Sequence, residues 1–188
     1  MSGAADRRFV PSLIAGRVLE TVLLHGLRPG RRSTRRTARV VSEVTRGGRL
    51  WFGITAAGAA APHTRAAGRD GVAAWTLASG AAFGIKSLVQ RRRPVLVRTI
   101  GASTSSSSMP SSHTAGAFAY ATAATLRAPA MGVVLVPLAV ATGWSRAATA
   151  RHFPTDVAAG AVLGVVVGAC AHRAADAWAA REAPAGTD

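Results

Sequence analysis

Apolar positions gather into stretches separated by prolines, glycines and charge. In residues 1–28, Phe9, Leu13, Ile14, Val18, Val22 and Leu23 recur at roughly helical spacing, with Arg17 and Glu20 off that face. This predicts an amphipathic helix that lies on a membrane surface or packs on the edge of the domain. Five apolar segments follow, Leu50–Ala61, Val72–Val89, Thr114–Leu126, Met131–Trp144 and Val157–His172. Pro62, Gly71, Pro94, Pro129 and Pro154 punctuate them. A perpendicular span needs ~20 apolar residues, so several segments are short for one. Their number and lack of charge favour a membrane bundle over a soluble one. The expected fold is all-α, an integral membrane bundle of about five transmembrane helices with an N-terminal amphipathic helix. Its parts are residues 1–49, a helical core at 50–175, and a polar tail at 176–188. Trp51, Trp75, Trp144 and Trp178 lie near segment ends, as an aromatic belt would. Gly160, Gly164 and Gly168 form small-xxx-small steps suited to close helix packing.

Composition narrows the partners. Of 188 residues 49% are hydrophobic and 16% charged, yet the net charge is +15. That combination points to an anionic membrane or a phosphorylated substrate. Aromatic residues are 5% and do not interleave with basic ones, which argues against nucleic acid. The arginines of residues 28–49 read as a charged loop beside anionic headgroups. Arg7 and Arg8 precede an apolar stretch broken by Arg17 and Glu20, which does not make a secretory signal. The single cysteine, Cys170, excludes an intrachain disulfide and reads as a small buried hydrophobe.

Three residue sets carry chemistry. Lys86, the only lysine, sits in an apolar segment and needs an anionic partner. Arg93 follows two helical turns later, so the pair can clamp a phosphate, or snorkel as Arg91 and Arg92 are expected to do. Pro110-Ser111-Ser112-His113 opens the third segment. Its free helix-start N–H groups and hydroxyls suit an anion, and His113 can protonate a leaving oxygen. Ser145-Arg146, His152 and Asp156 join the fourth and fifth segments. Asp156 can accept a hydrogen bond from one His152 nitrogen and leave the other free to attack phosphorus. Arg146 can offer a bidentate fork. Alternating helix directions put all three sets on one membrane face. His25, His63 and His172 lack charged company at useful spacing and read as structural. The low-complexity Ser103–Ser108 run reads as a flexible loop over the site.

Together the sets Lys86-x6-Arg93-Pro94, Pro110-Ser111-Ser112-His113 and Ser145-Arg146-x5-His152-x3-Asp156 resemble the type 2 phosphatidic acid phosphatase superfamily, matching ten of eleven positions. Position 112 departs, being Ser where the family usually has Gly. The resemblance implies His152 as nucleophile, Asp156 as its orienting partner and His113 as acid. It implies phosphate binding by Lys86, Arg93, Ser111, the Ser112 backbone and Arg146. No cofactor or metal is expected, since Asp156 is the only acid near the site. The implied reaction is lipid-phosphate hydrolysis through a phosphohistidine.

Arginine asymmetry favours the cytoplasmic side of the plasma membrane for the site face: residues 28–49, Arg91, Arg92 and Arg98 lie there, against Arg65, Arg69 and Arg127 opposite, with Arg173 and Arg181 in the tail. The short, Arg- and Ala-rich chain looks similar to small actinobacterial members. One of these acts on decaprenylphosphoryl-5-phosphoribose, a precursor of cell-wall arabinose, and that substrate ranks first. Phosphatidic acid, phosphatidylglycerol phosphate and undecaprenyl diphosphate stay open, as does a non-catalytic headgroup-binding protein. The motifs also resemble those of soluble acid phosphatases and haloperoxidases, which are normally longer. A transporter is disfavoured by the lack of a repeat pair.

Overall fold

The computed structural model describes residues 18–94 and 107–182. Phe9, Leu13, Ile14, Arg98 and residues 103–106 therefore lie outside the described part. Among the described residues all regular structure is helical. The elements are α1 (Val18–Leu27), α2 (Arg32–Val44), α3 (Arg49–Ala57), α4 (Pro62–Val89), α5 (Ser112–Arg127), α6 (Gly132–Ala148) and α7 (Pro154–Glu182), with short 3₁₀ turns between some of them.

Among the described residues three helices are long and apolar enough to cross a membrane: Pro62–Val89, Pro129–Ala148 and Pro154–Glu182, of 28, 20 and 29 residues. Nine residues of α3 and 16 of α5 fall short of the ~20 a perpendicular span needs. The fifth apolar segment, read as ending at His172, runs on as helix to Glu182, so residues 176–182 of the expected tail belong to α7.

Helix α5 is the hub. It packs on α4, α6 and α7, and nine of its residues are buried. Small residues allow this. Ala74, Ala78 and Ala82 of α4 meet Ala115, Ala119 and Ala123 of α5, each at a four-residue spacing. On α7, a Cβ at Gly160, Gly164 or Gly168 would lie 2.5, 2.4 or 2.6 Å from the carbonyl oxygens of Ser111, Ala115 and Ala119. The glycine ladder therefore brings α7 against the α5 backbone, as small-xxx-small packing does.

Several expectations change. Residues 32–44 form a helix instead of a loop, with Ala38 and Ser42 turned inward. Trp51 is buried against Tyr120, ring centroids 5.0 Å apart, and belongs to the interior instead of an aromatic belt; Trp75 is half-buried and packs edge-on against Phe52. Trp178 is exposed, as a belt residue would be. Cys170 is exposed on α7, not buried. His172 is not isolated: its ring nitrogens lie 3.4 Å from Asp70 and 3.2 Å from Asp176. Arg127 also bonds Asp70, at 2.8 Å, and Asp176. This cluster ties α4, α5 and α7 together at the end where α5 finishes, opposite Ser111 and Ser112.

Candidate active site

Helix ends build the site. Helix α6 finishes with the N–H of Ala150 bonded to Ala147 O and that of Arg151 to Arg146 O, at 2.8 and 3.0 Å. This is a Schellman end, with Ala150 in the left-handed conformation (φ 51°) where glycine is usual. The turn carries His152 out of α6 into the buried interior. Pro154 then starts α7 at its first position, where its missing N–H costs nothing. Asp156 reaches back from the first turn, and its Oδ2 accepts the Phe153 N–H at 2.9 Å. That is the acidic half of a capping box.

The His152 ring is fixed from two sides. Its Nδ1 lies 2.8 Å from Ser108 O and 3.7 Å from Asp156 Oδ2. Nδ1–H therefore donates to the Ser108 carbonyl, and the Asp156 carboxylate backs the ring at ion-pair distance. Sequence reasoning expects the direct bond at Asp156 and misses Ser108, 44 residues upstream in the serine-rich loop. Nε2 is left as an acceptor, 3.4 Å from Arg93 Nη1. The ring tautomer follows from these partners. Burial, with Arg93 and Lys86 acting the same way, pushes the imidazole below its ordinary titration range despite the opposing pull of Asp156. His152 is thus a neutral imidazole with its bare nitrogen turned to a guanidinium.

The other predicted residues gather around it. Arg93 Nη1 also donates to Arg151 O at 3.1 Å. Lys86 is buried near the end of α4 and donates to Ser107 O at 3.0 Å. Ser111 precedes α5; its N–H bonds Asp156 O at 2.9 Å and its hydroxyl accepts from Thr114 at 2.9 Å. Ser112 and His113 form the first turn of α5, which has no side-chain cap. The charged and titratable groups around His113 are Arg146, His152, Arg151 and Lys86. Ser145 turns its hydroxyl back to Thr142 O at 2.7 Å, so it serves its own helix.

Arg146 is 1% exposed. Its Nη2 donates to Ser42 O at 2.7 Å and to Thr45 Oγ1 at 2.8 Å, so the α2 end holds the guanidinium. Its Nε is buried and makes no hydrogen bond among the described residues, a donor that a phosphate oxygen would satisfy. Lys86, Arg93 and Arg146 thus concentrate positive charge beside a nucleophilic nitrogen and an uncapped helix start, which suits an oxyanion. Among the described residues no group of three His, Cys, Asp or Glu side chains is placed to hold a metal ion.

Two residues read as bystanders enter the site. Arg91 does not snorkel. Its Nη1 donates to Asp156 Oδ1 at 2.7 Å and Thr155 Oγ1 at 2.8 Å, its Nη2 pairs with Glu20, and its guanidinium carbon lies 4.7 Å from the Phe153 ring centroid. Glu20, from α1, also accepts from the Thr155 hydroxyl. Both contacts are long-range and leave no periodic trace in the sequence.

Comparison with known proteins bears on the fold and the family. No match was found among curated proteins. Two solved structures share the fold. A transmembrane PAP2 type phosphatidylglycerolphosphate phosphatase from Bacillus subtilis superposes with a TM-score of 0.70 at 18% identity, over 87% of each chain. Aquifex aeolicus LpxE superposes with a TM-score of 0.68 at 21% identity, over 82% of this chain and 95% of the other. The family model described as PAP2 superfamily matches residues 71–179, a stretch that holds every site residue named from the sequence and more than half of the chain, so the chain belongs to the PAP2 superfamily.

Proposed function

We propose that this PAP2-type phosphatase removes the terminal phosphate from a membrane lipid through a phosphohistidine on His152. The observation that carries the reading is the His152 ring: neutral, held at Nδ1 by Ser108 O, with Nε2 facing Arg93. Nε2 attacks phosphorus in line with the ester oxygen. The Nε2–P bond forms, the P–O(lipid) bond breaks, and His113 gives its proton to the departing oxygen. The arriving phosphate dianion offsets the cations around His113 and favours its protonated form. Lys86, Arg93 and Arg146, with Ser111 and the Ser112 backbone, hold the equatorial oxygens, where charge builds in the transition state. Asp156 steadies the charge that develops on the ring. Water then attacks the phosphohistidine, His113 takes its proton, and phosphate leaves. No metal is needed in this scheme, so chelator should leave turnover intact.

The membrane reading counts five segments, adding α3 and α5, both shorter than a perpendicular span, to the three long helices. Enclosure of α5 by α4, α6 and α7 frees it from matching the bilayer thickness. The anionic leaflet is engaged by the exposed arginines of α2. The substrate that fits a cytoplasmic site is a lipid intermediate made inside the cell, with a polyprenyl-linked phosphate such as decaprenylphosphoryl-5-phosphoribose first. Phosphatidylglycerol phosphate is the second reading, favoured by the structural neighbour from Bacillus subtilis, a phosphatidylglycerolphosphate phosphatase.

A phosphate-release panel in detergent tests both points. It compares the phosphoribosylated polyprenyl lipid, phosphatidylglycerol phosphate, phosphatidic acid and undecaprenyl diphosphate, with and without chelator. Release is expected for at least one lipid and none for His152→Ala. Turnover by a folded His152→Ala protein would sink the mechanism, and a substrate order led by phosphatidylglycerol phosphate would replace the polyprenyl reading.

A further inference from the structure

We propose that Glu20 is a positioning residue of the active site, acting through Arg91 on Asp156, and that this makes helix α1 part of the catalytic unit. The inference rests on the phosphohistidine reading above and adds a residue that neither the motifs nor the 71–179 family match contains.

The geometry is a chain of three charged groups. Asp156 is fully buried and has its two oxygens divided. Oδ2 accepts the Phe153 N–H and faces His152 Nδ1. Oδ1 accepts from Arg91 Nη1. The second Arg91 nitrogen pairs with Glu20, and Thr155 links Arg91 to Glu20 through its hydroxyl. The Glu20 and Arg91 side chains are 13% and 21% exposed, so solvent screens this chain little. Packing sets the register: Leu24, one turn after Glu20, is 0% exposed among Ala147, Ala150, Phe153 and Val157. Those are the residues on either side of His152. Most of the remaining apolar surface of α1 (Val18, Leu19, Val22, Leu23 and Leu27) is exposed, free to meet the bilayer.

Charge explains what Glu20 adds. Arg91 alone would neutralise Asp156 and weaken its support for the positive charge that grows on the His152 ring. Two carboxylates sharing one guanidinium leave the cluster with net charge −1. Glu20 also keeps Arg91 from shifting toward the phosphate site, where it would compete with Arg93. The lipid-facing helix that carries Glu20 thereby couples its own docking to the nucleophile.

The test uses the full-length protein in detergent with Glu20→Gln, which removes the charge and keeps the shape, and Glu20→Asp, which restores the charge. On whichever lipid phosphate the unmodified enzyme turns over best, kcat of Glu20→Gln falls on the order of 10-fold while KM stays within about twofold, because the phosphate clamp is untouched. Glu20→Asp recovers most of the loss. A second readout needs no turnover: the titration midpoint of His152 in the resting protein, followed by ¹⁵N-histidine NMR and assigned with His152→Gln. The charged and titratable groups around His152 are Asp156 of α7, Lys86 of α4, Arg93 and His113 of α5, with Arg146 of α6 and Arg151 in the same cluster. None changes in the variant, so loss of one negative charge moves the midpoint down in Glu20→Gln and Glu20→Asp returns it. An unchanged kcat, or an unmoved midpoint, overturns the proposal. Absence of turnover in the unmodified protein counts against the phosphatase reading instead, and the midpoint alone then decides the role of Glu20.

Discussion

At the scale of single residues the site is governed by which groups keep their charge when buried. His152 is held neutral by burial and by the cations Arg93 and Lys86. Its pH behaviour follows. In the unfolded chain an ordinary histidine takes up a proton below about pH 6.5, while folded His152 does not until a lower pH. The unfolded state then binds more protons, so stability falls as pH drops below about 6.5 and levels off once folded His152 also protonates. Urea titrations at pH 7.5 and 5.5 should show this loss in the native protein and a smaller one in His152→Gln. Equal losses would show that His152 is not held neutral. As the proposed nucleophile, His152 should likewise remain competent on the acid side of neutrality, with the acid limb of kcat/KM below about pH 6.5. Much of this site was legible in the sequence, because Lys86, Arg93, His113, Arg146, His152 and Asp156 all sit beside prolines or segment ends. What was not legible came from afar. Ser108 reaches His152 across 44 residues, Ser42 reaches Arg146 across 104, and Glu20 reaches Arg91 across 71. No periodicity encodes such pairs. His172 and Asp176 are different, since their four-residue spacing was readable as one helical face.

Between helices, the decisive feature is how closely α7 approaches α5. A methyl group at Gly164 would stand 2.4 Å from Ala115 O and 2.8 Å from the Phe118 Cβ, and neither neighbour is the end of a flexible side chain. Gly164→Ala should therefore push the helices apart and cost about 1–3 kcal/mol, the range for overpacking. Gly80→Ala is the control: its Cβ meets nothing within 4 Å, and alanine favours helix over glycine by roughly 0.5–1 kcal/mol. Thermal unfolding in detergent should show a lower midpoint for Gly164→Ala and an equal or higher one for Gly80→Ala. A similar drop in both would mean that helix approach does not set stability. Gly160 adds a functional side to the same ladder, because it lies against Ser111 O at the start of α5. The glycine spacing made this contact visible in the sequence. The end of α6 was not visible in that way, since the Schellman turn that projects His152 uses Ala150 where glycine would have announced it. Helix α2 was hidden for a similar reason: its composition is that of a charged loop, and only Ala38 and Ser42 turn inward to hold it.

Across the whole molecule, charge and chemistry are both sorted toward the end that holds His152. Arginine-rich α2 supports Arg146 at that end, and α1 supports Arg91 there, so the basic surface and the phosphate site share one face. The opposite end is closed by Arg127, Asp70, His172 and Asp176, where positive charge is matched by carboxylates. If membrane insertion follows the arginine bias, the site end faces the cytoplasm. An exposed reporter on α2 checks this. In a Cys170→Ser background, which removes the single native thiol, Ser33→Cys places a thiol on the exposed side of the basic helix. A maleimide that cannot cross membranes should label it in inverted inner-membrane vesicles and leave it unlabelled in intact spheroplasts. Labelling in spheroplasts alone would reverse the orientation. The substrate would then have to be a lipid displayed on the outer leaflet, which removes the main reason for ranking an intracellular polyprenyl intermediate first. The proposed phosphohistidine chemistry would be untouched, because it depends on the groups around His152 and not on the side of the membrane they face.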